Sequence, residues 1–181
     1  MHRFYAPDIA TTGELPPDEA AHAVRVLRLH EGDELEAIDG RGTIYRCRIS
    51  QASPKRCALE VLSSHSEPTH WGCRIVVAIA PTKMMERLEW MAEKCTEVGI
   101  DRIIPIRCHN SERTTVKTER LERIVIAAMK QSLKAVKPVI DPMTPIADVI
   151  AMPFTGHRYI AYCDPTPVSY THLTLPTKRI V

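Results

Sequence analysis

"RIVVAIAPTKMMERLEWMAEKCTEVGIDRIIPI", residues 74–106, decides the fold class. Its first eight residues form a continuous apolar run of the kind found in strands buried on both faces. The period then changes. Met84, Met85, Leu88, Met91, Ala92, Cys95 and Val98 recur at helical spacing, with Thr82 as the candidate N-cap and Gly99 as the stop. "RIIPI" (102–106) reads as a second buried strand. Strand, helix and strand within 33 residues make a βαβ unit, so the sheet is expected to be parallel with a right-handed crossover. Pro105 argues for an edge, a bulge or an early strand end, because proline has no ladder donor.

The apolar face of that helix is wide enough to cover a sheet and a second surface, which reads either as core or as a subunit interface. Glu89, Glu93 and Glu97 stack at i, i+4 and i+8, a like-charge row unless cations approach it. Lys94 beside them makes a solvated mixed face the plain reading.

Working outward toward the C-terminus, "IRCHNSERTTVKTERL" (106–121) crowds cations and hydroxyls behind the second strand. Between Arg102 and Lys137, nine cations (Arg102, Arg107, Arg113, Lys117, Arg120, Arg123, Lys130, Lys134, Lys137) face three anions (Glu112, Glu119, Glu122), although the whole chain carries only +2. Clustered charge of this kind is the footprint of a polyanion site; the competing reading is a lysine-rich solvated helix face. A second helix is expected over 118–136, with Leu121, Ile124, Val125, Ala128 and Ser132 inward. Gln131 and Ser132 are polar near the buried side, so each is expected to bond a neighbouring loop or a ligand. "PVIDP" (138–142) reads as a short strand, "TPIADVIA" (144–151) as a capped helical turn or two, and "HRYIAYCDP" (157–165) as a further strand.

Working outward toward the N-terminus, the pattern changes near residue 70. Short alternating segments, "RFYA", "DELEAID", "GTIYRCRIS" and "RCALEVLSS", are separated by turn signals such as Asp39-Gly40 and Ser53-Pro54, which predicts a small β-barrel. One helix interrupts it over Pro17 to Leu27, with Ala20, Ala23, Val24 and Leu27 on one face and Arg25 and Arg28 elsewhere. On "GTIYRCRIS", Tyr45, Cys47 and Ile49 point one way, and Arg46 and Arg48 share the other face with Ile44. Those arginines either grip phosphates or form the wet side of an antiparallel sheet.

Charge follows the same division: residues 1–70 hold 8 Lys+Arg against 11 Asp+Glu, and residues 71–181 hold 16 against 11. With 181 residues, 44% of them hydrophobic, the chain can bury one large or two small cores. It has no apolar run long enough to span a bilayer and no secretion-signal pattern at its start, so it is read as cytoplasmic, without a membrane partner. The six cysteines (Cys47, Cys57, Cys73, Cys95, Cys108, Cys163) form no CxxC pair and are read as reduced and structural; no metal site is expected. No glycine-rich phosphate loop follows "RIVVAIA", which disfavours a small nucleotide-binding protein.

Several long stretches, in order, resemble one family: "HRFYA" (2–6), "HAVRVLR" (22–28), "EGDELEAIDGRG" (31–42), "YRCRI" (45–49), "APTKMMERLEWMAEKCTEVGIDRIIPIRC" (80–108), "SER" (111–113) and "KTERLERIVIAAMKQSLKAVKP" (117–138). They are similar to RsmE enzymes, which methylate N3 of a uridine in 16S ribosomal RNA with S-adenosylmethionine. The likeness runs to about Pro165. It implies an α+β chain with a PUA-like RNA-binding β-barrel over 1–70, followed by an α/β SPOUT methyltransferase domain of trefoil-knot type over 71–167. The family's cofactor pocket lies in a later segment with a GPEGG-like loop, which this sequence lacks. "VSYTHLTLPTKRIV" (168–181) instead resembles translated sequencing adapter; it has no helical period, is broken by Pro176 and offers nothing to pair with the last strand. The expectation is therefore a domain incomplete at its C-terminus, with most of the S-adenosylmethionine pocket absent and a non-native tail over 168–181.

Loops at the carboxyl ends of parallel strands carry function in open α/β sheets. Arg3, Arg25, Arg28, Arg107, Ser111, Arg113 and Lys117 are taken as RNA contacts, and Thr82, Lys83, Gln131 and Ser132 as substrate-cleft candidates. His109 is read as a surface residue, Glu93 and Glu97 as structural, and no catalytic base is assigned. The resemblance implies 16S rRNA or the small ribosomal subunit as partner and a homodimer for the full-length form. A non-catalytic RNA-binding protein built on the same barrel and basic surface is the alternative.

Overall fold

The computed structural model describes residues 2–68, 71–161 and 177–179. The chain divides into two compact units, Met1–Val149 and Ile150–Val181. Cys163, the end of the expected strand beyond Ala161 and most of the 168–181 tail lie outside the described residues.

The first unit opens with the predicted barrel sheet. Strands β1 (Arg3–Tyr5), β2 (Glu14–Leu15), β3 (Glu34–Ile38), β4 (Thr43–Ala52) and β5 (Cys57–Ser66) are ordered β1-β3-β4-β5-β2, antiparallel except for the β1–β3 pair. The short helix α1 (Ile9–Thr12) links β1 to β2. Register irregularities at Arg46/Cys47 and Ile49/Gln51 bend the long β4–β5 ribbon. Alternation works as read: Cys47 and Ile49 are buried with Phe4, Leu35 and Cys57, while Arg46 and Arg48 stay outside. Helix α2 (Pro17–Ala21) starts where two prolines and two acids predict, then widens into a π-helical turn, His22–Val26. Ala20 and Ala23 are its fully buried residues.

The quoted βαβ unit is present. Strand β6 (Val76–Ile79), helix α3 (Met85–Val98) and strand β7 (Arg102–Arg107) are followed by helix α4 (Thr118–Gln131), β8 (Val139–Ile140) and β9 (Thr144–Pro145). The β6–β7, β7–β8 and β7–β9 pairs are all parallel. Leu88 and Ala92 of α3 and Leu121 and Val125 of α4 pack with Ile103 and Ile140 in one core.

Four expectations are corrected here. Strand β6 is not buried on both faces: Ala78 is exposed and its neighbours are half-buried, because β6 is an edge of this sheet. Pro105 does not end β7; it is fully buried and paired with Ile79. On the other side of β7 the partner changes from β8 at Ile103 to β9 at Ile106, so Pro105 sits where no ladder donor is required. Thr82 is not the cap of α3, which begins after an extended Met84; the Thr82 hydroxyl donates to the Met84 carbonyl. Helix α4 ends at Gln131 rather than Val136, since Leu133 turns into the left-handed region (φ 57°). Gly99 ends α3 as read, also in the left-handed conformation.

Helix α5 (Ile146–Ala151) begins in the first unit and ends in the second. In the second unit, the Arg158 guanidinium donates to the Ile150 and Met152 carbonyls. Strand β10 (Tyr159–Ala161) pairs antiparallel with β11 (Thr177–Arg179). The expectation that nothing in 168–181 pairs with the last strand is thereby corrected: three of those residues supply its partner.

Candidate functional site

In-register parallel pairing of β6 and β7 brings their carboxyl ends side by side, so the loops leaving them are neighbours. Arg113, from the loop after β7, donates from Nη2 to the Lys83 carbonyl in the loop after β6 at 2.9 Å. Its Nε is buried without a hydrogen-bond partner among the described residues. Ser111 Oγ accepts from Cys108 N at 2.9 Å and so closes the turn that carries Arg113. Arg107, Lys83 and Lys117 are exposed around this brace. The loops thus form a rim of cations at one end of the parallel sheet.

Much of the basic excess is neutralised. Arg102 is bonded through Nε and Nη2 to Asp141, Arg120 to Glu89, Lys130 to Glu19 and Lys137 to Glu122. Of the nine cations between Arg102 and Lys137, Arg107, Lys117, Arg123 and Lys134 keep no hydrogen-bond or ion-pair partner among the described residues. Those four, together with Arg113, whose one bond is to a neutral carbonyl, are the cations in this stretch that no carboxylate among the described residues pairs, fewer than the nine in the sequence. Arg123 was not singled out as a contact; its signal is position, on the outer stripe of α4 opposite buried Leu121, Val125 and Ala128.

The other candidates separate. Arg25 and Arg28 are exposed beside the π-helical turn, with no ion-pair partner among the described residues. Arg3 differs from the other candidates: its side chain is only 10% exposed, bonded through Nε and Nη2 to Glu36 and through Nη1 to the Leu133 carbonyl. Gln131 is exposed, with no side-chain hydrogen bond among the described residues, while the Ser132 hydroxyl donates back to the Ala128 carbonyl at 2.7 Å. Neither side chain bonds a neighbouring loop among the described residues. Thr82 is exposed on the rim, and His109 is exposed near it. Lys94 bridges Glu93 and Glu97, the solvated pairing read for that face. On the barrel, Arg46 holds the Glu34 carboxyl below the usual carboxylate range, helped by Arg48.

A cavity of about 40 Å³ lies between Glu67, Gly99, Asp101, Lys134 and Val136. Small-molecule pockets run to about 300–1,000 Å³, so this cavity does not fit an adenosyl cofactor. Among the described residues no group of three or more His, Cys, Asp or Glu is placed to hold a metal, and no helix is long and apolar enough to cross a membrane.

The family model for an RNA methyltransferase domain matches residues 69–179, and that for an RNA methyltransferase PUA domain matches residues 15–62. The chain belongs to the RsmE family of RNA methyltransferases. A probable rRNA-methyltransferase from Porphyromonas gingivalis is 49% identical, with a TM-score of 0.85 over 91% of this chain and 69% of that one. The ribosomal RNA small subunit methyltransferase E of Mycobacterium bovis is 30% identical over 141 residues, 75% of this chain and 53% of that protein. The Neisseria gonorrhoeae enzyme of the same name, solved bound to S-adenosyl methionine, shares the fold at 23% identity and TM-score 0.73, over 84% of this chain and 66% of that one. This RsmE-family chain spans about half the length of the curated relatives it matches. Its fold is accordingly a PUA-like barrel followed by an α/β domain of the SPOUT methyltransferase class.

Proposed function

We propose that this chain binds small-subunit ribosomal RNA and serves its methylation at N3 of a uridine in 16S rRNA, with S-adenosylmethionine as donor. The observation that carries the reading is the braced cationic rim, Arg107, Lys83 and Lys117 around Arg113, on a chain matched by both RNA methyltransferase family models. Arginine can hold a phosphate through two parallel hydrogen bonds and lysine as a point charge. The cofactor is supported by the bound relative from Neisseria gonorrhoeae. When bound, it supplies an electrophilic methyl group. The chain's own contribution is to grip RNA and hold the target base unstacked beside that group. Residues 1–70 act as the RNA-binding domain and 71–167 as the catalytic one, a division supported by the two family matches. A homodimer is supported by the exposed apolar side chains of Met84, just before α3, and of Trp90 and Val98 on it, and the cytoplasm is the compartment of the substrate.

The test is to titrate S-adenosylmethionine and 16S rRNA against the 181-residue chain and against a version extended by a family-like C-terminal segment. Labelled methyl on one uridine supports the proposal. RNA binding without methyl transfer by either form favours the non-catalytic RNA-binding alternative. Cofactor binding by the 181-residue chain alone overturns the expectation that most of the pocket is absent. Arg113→Ala is expected to weaken rRNA binding and to lower its salt slope.

A further inference from the structure

The joint between the barrel and the parallel sheet is built on α4 and the segment after it. Met129 and Ala135, both fully buried, pack with Ile38 and Ile44 beside Tyr5. Gly42 N donates to the Ala135 carbonyl at 3.1 Å, Lys137 N to the Gly40 carbonyl at 2.8 Å, and Ala135 N to Glu67 Oε2 at 2.8 Å. Lys130 adds its ion pair with Glu19, and Arg3 its bond to the Leu133 carbonyl. Gly40 and the Tyr5 ring are so close that a Cβ on Gly40 would fall 2.8 Å from Tyr5 Cε2. Close packing, backbone bonds and an ion pair together weld the two parts, and a packed joint transmits position rather than absorbing it.

The rim lies at the other end of the same helix. Lys117 precedes α4, and Lys130, near its end, holds Glu19 of α2. Twelve residue steps from Thr118 to Lys130 span roughly 18 Å of helix. Helix α2 leads directly into the π-helical turn that carries Arg25, with Arg28 just after it. Between the two ends, Arg123 points outward without an ion-pair partner among the described residues, while Arg120 beside it is held by Glu89.

We propose that α4 is a rigid strut fixing the separation of two phosphate-contact sites, Arg25 and Arg28 on the barrel and Arg107 and Lys117 on the rim, with Arg123 between them. The RNA it selects is folded RNA that presents phosphates at that spacing, not a flexible single strand. The inference rests on the RNA-binding reading above. A rigid two-site surface gains full effective concentration from a rigid ligand, whereas a flexible strand has to be ordered first.

The experiment is phosphate ethylation interference with the intact chain on a folded 16S rRNA fragment, beside binding to unstructured poly(U) of equal length. The expected result is two separate interfering phosphate patches, one for each end of α4. Arg25→Ala with Arg28→Ala erases one and Arg107→Ala with Lys117→Ala the other, each pair lowering the slope of log affinity against log salt by about 1.4–1.8. Arg123→Ala lowers it by about 0.7–0.9. NMR relaxation should give one tumbling time for barrel and sheet. A single patch, equal affinity for poly(U), or separate tumbling times overturn the strut while leaving RNA binding intact. Binding to neither RNA overturns the RNA-binding reading itself.

Discussion

Lys130 Nζ lies 2.5 Å from Glu19 Oε1, joining α4 to α2 across 111 positions of the chain. The Glu19 side chain is only 12% exposed and its Oε2 has no partner among the described residues, where this carboxylate depends on one lysine.

Lys130→Met strands that charge in a mostly buried place. The expected cost is roughly 2 kcal/mol, less than for a fully buried pair because Lys130 is itself partly exposed. Adding Glu19→Gln should recover most of it, read as the urea midpoint of each variant in a double-mutant cycle.

Gly40 and Gly32 both have positive φ, 75° and 91°, but only Gly40 is crowded, by Tyr5 and Lys137. Gly32→Ala meets nothing within 4 Å and should cost only its backbone strain, about 1 kcal/mol. Gly40→Ala adds a clash at the joint and should cost roughly 2–4 kcal/mol. Equal melting temperatures for the two variants would contradict the packing described at that joint.

Burial pushes the Cys47 thiol up to about 11 from an ordinary value near 9. In the unfolded chain the thiol ionises near 9, while in the folded chain it keeps its proton until about 11. The folded state therefore binds more protons in that window, and stability falls as pH rises through it. Burial also raises Tyr5, which continues the fall above 10. Burial raises the Cys57 and Cys95 thiols as well, so Cys47→Ala should lessen the fall between pH 9 and 10 without abolishing it, followed as the urea midpoint against pH.

Arg3 and Arg107 should behave oppositely. Arg3→Ala removes the partner of Glu36 and a bond to the Leu133 carbonyl, so it should lower stability by about 1–3 kcal/mol. Its effect on the salt slope of rRNA binding should be nil. Arg107→Ala should leave the unfolding midpoint within about 0.5 kcal/mol of the parent and lower that slope by about 0.7–0.9.

Local pattern was enough to read the strands of the barrel sheet, the βαβ unit, the alternation on β4 and the stop at Gly99, because each depends on neighbours within a few residues. Those are consequences of side-chain period and backbone preference, which the chain carries wherever it sits. The resemblance of the quoted stretches supplied the family, which the matches to both domain models bear out. What sequence could not show is which charges find partners. Arg3 looked as available as Arg107, yet Glu36 and Leu133 enclose one and nothing among the described residues neutralises the other. Pro105 looked like a strand end until the change of partner from β8 to β9 made room for it. Gln131 and Ser132 are read as bonding a neighbouring loop or a ligand, and the sequence could not show that the Ser132 hydroxyl turns back on its own helix. Ion pairing, strand neighbours and the barrel-to-sheet weld all join residues tens of positions apart, and only the folded chain brings those together.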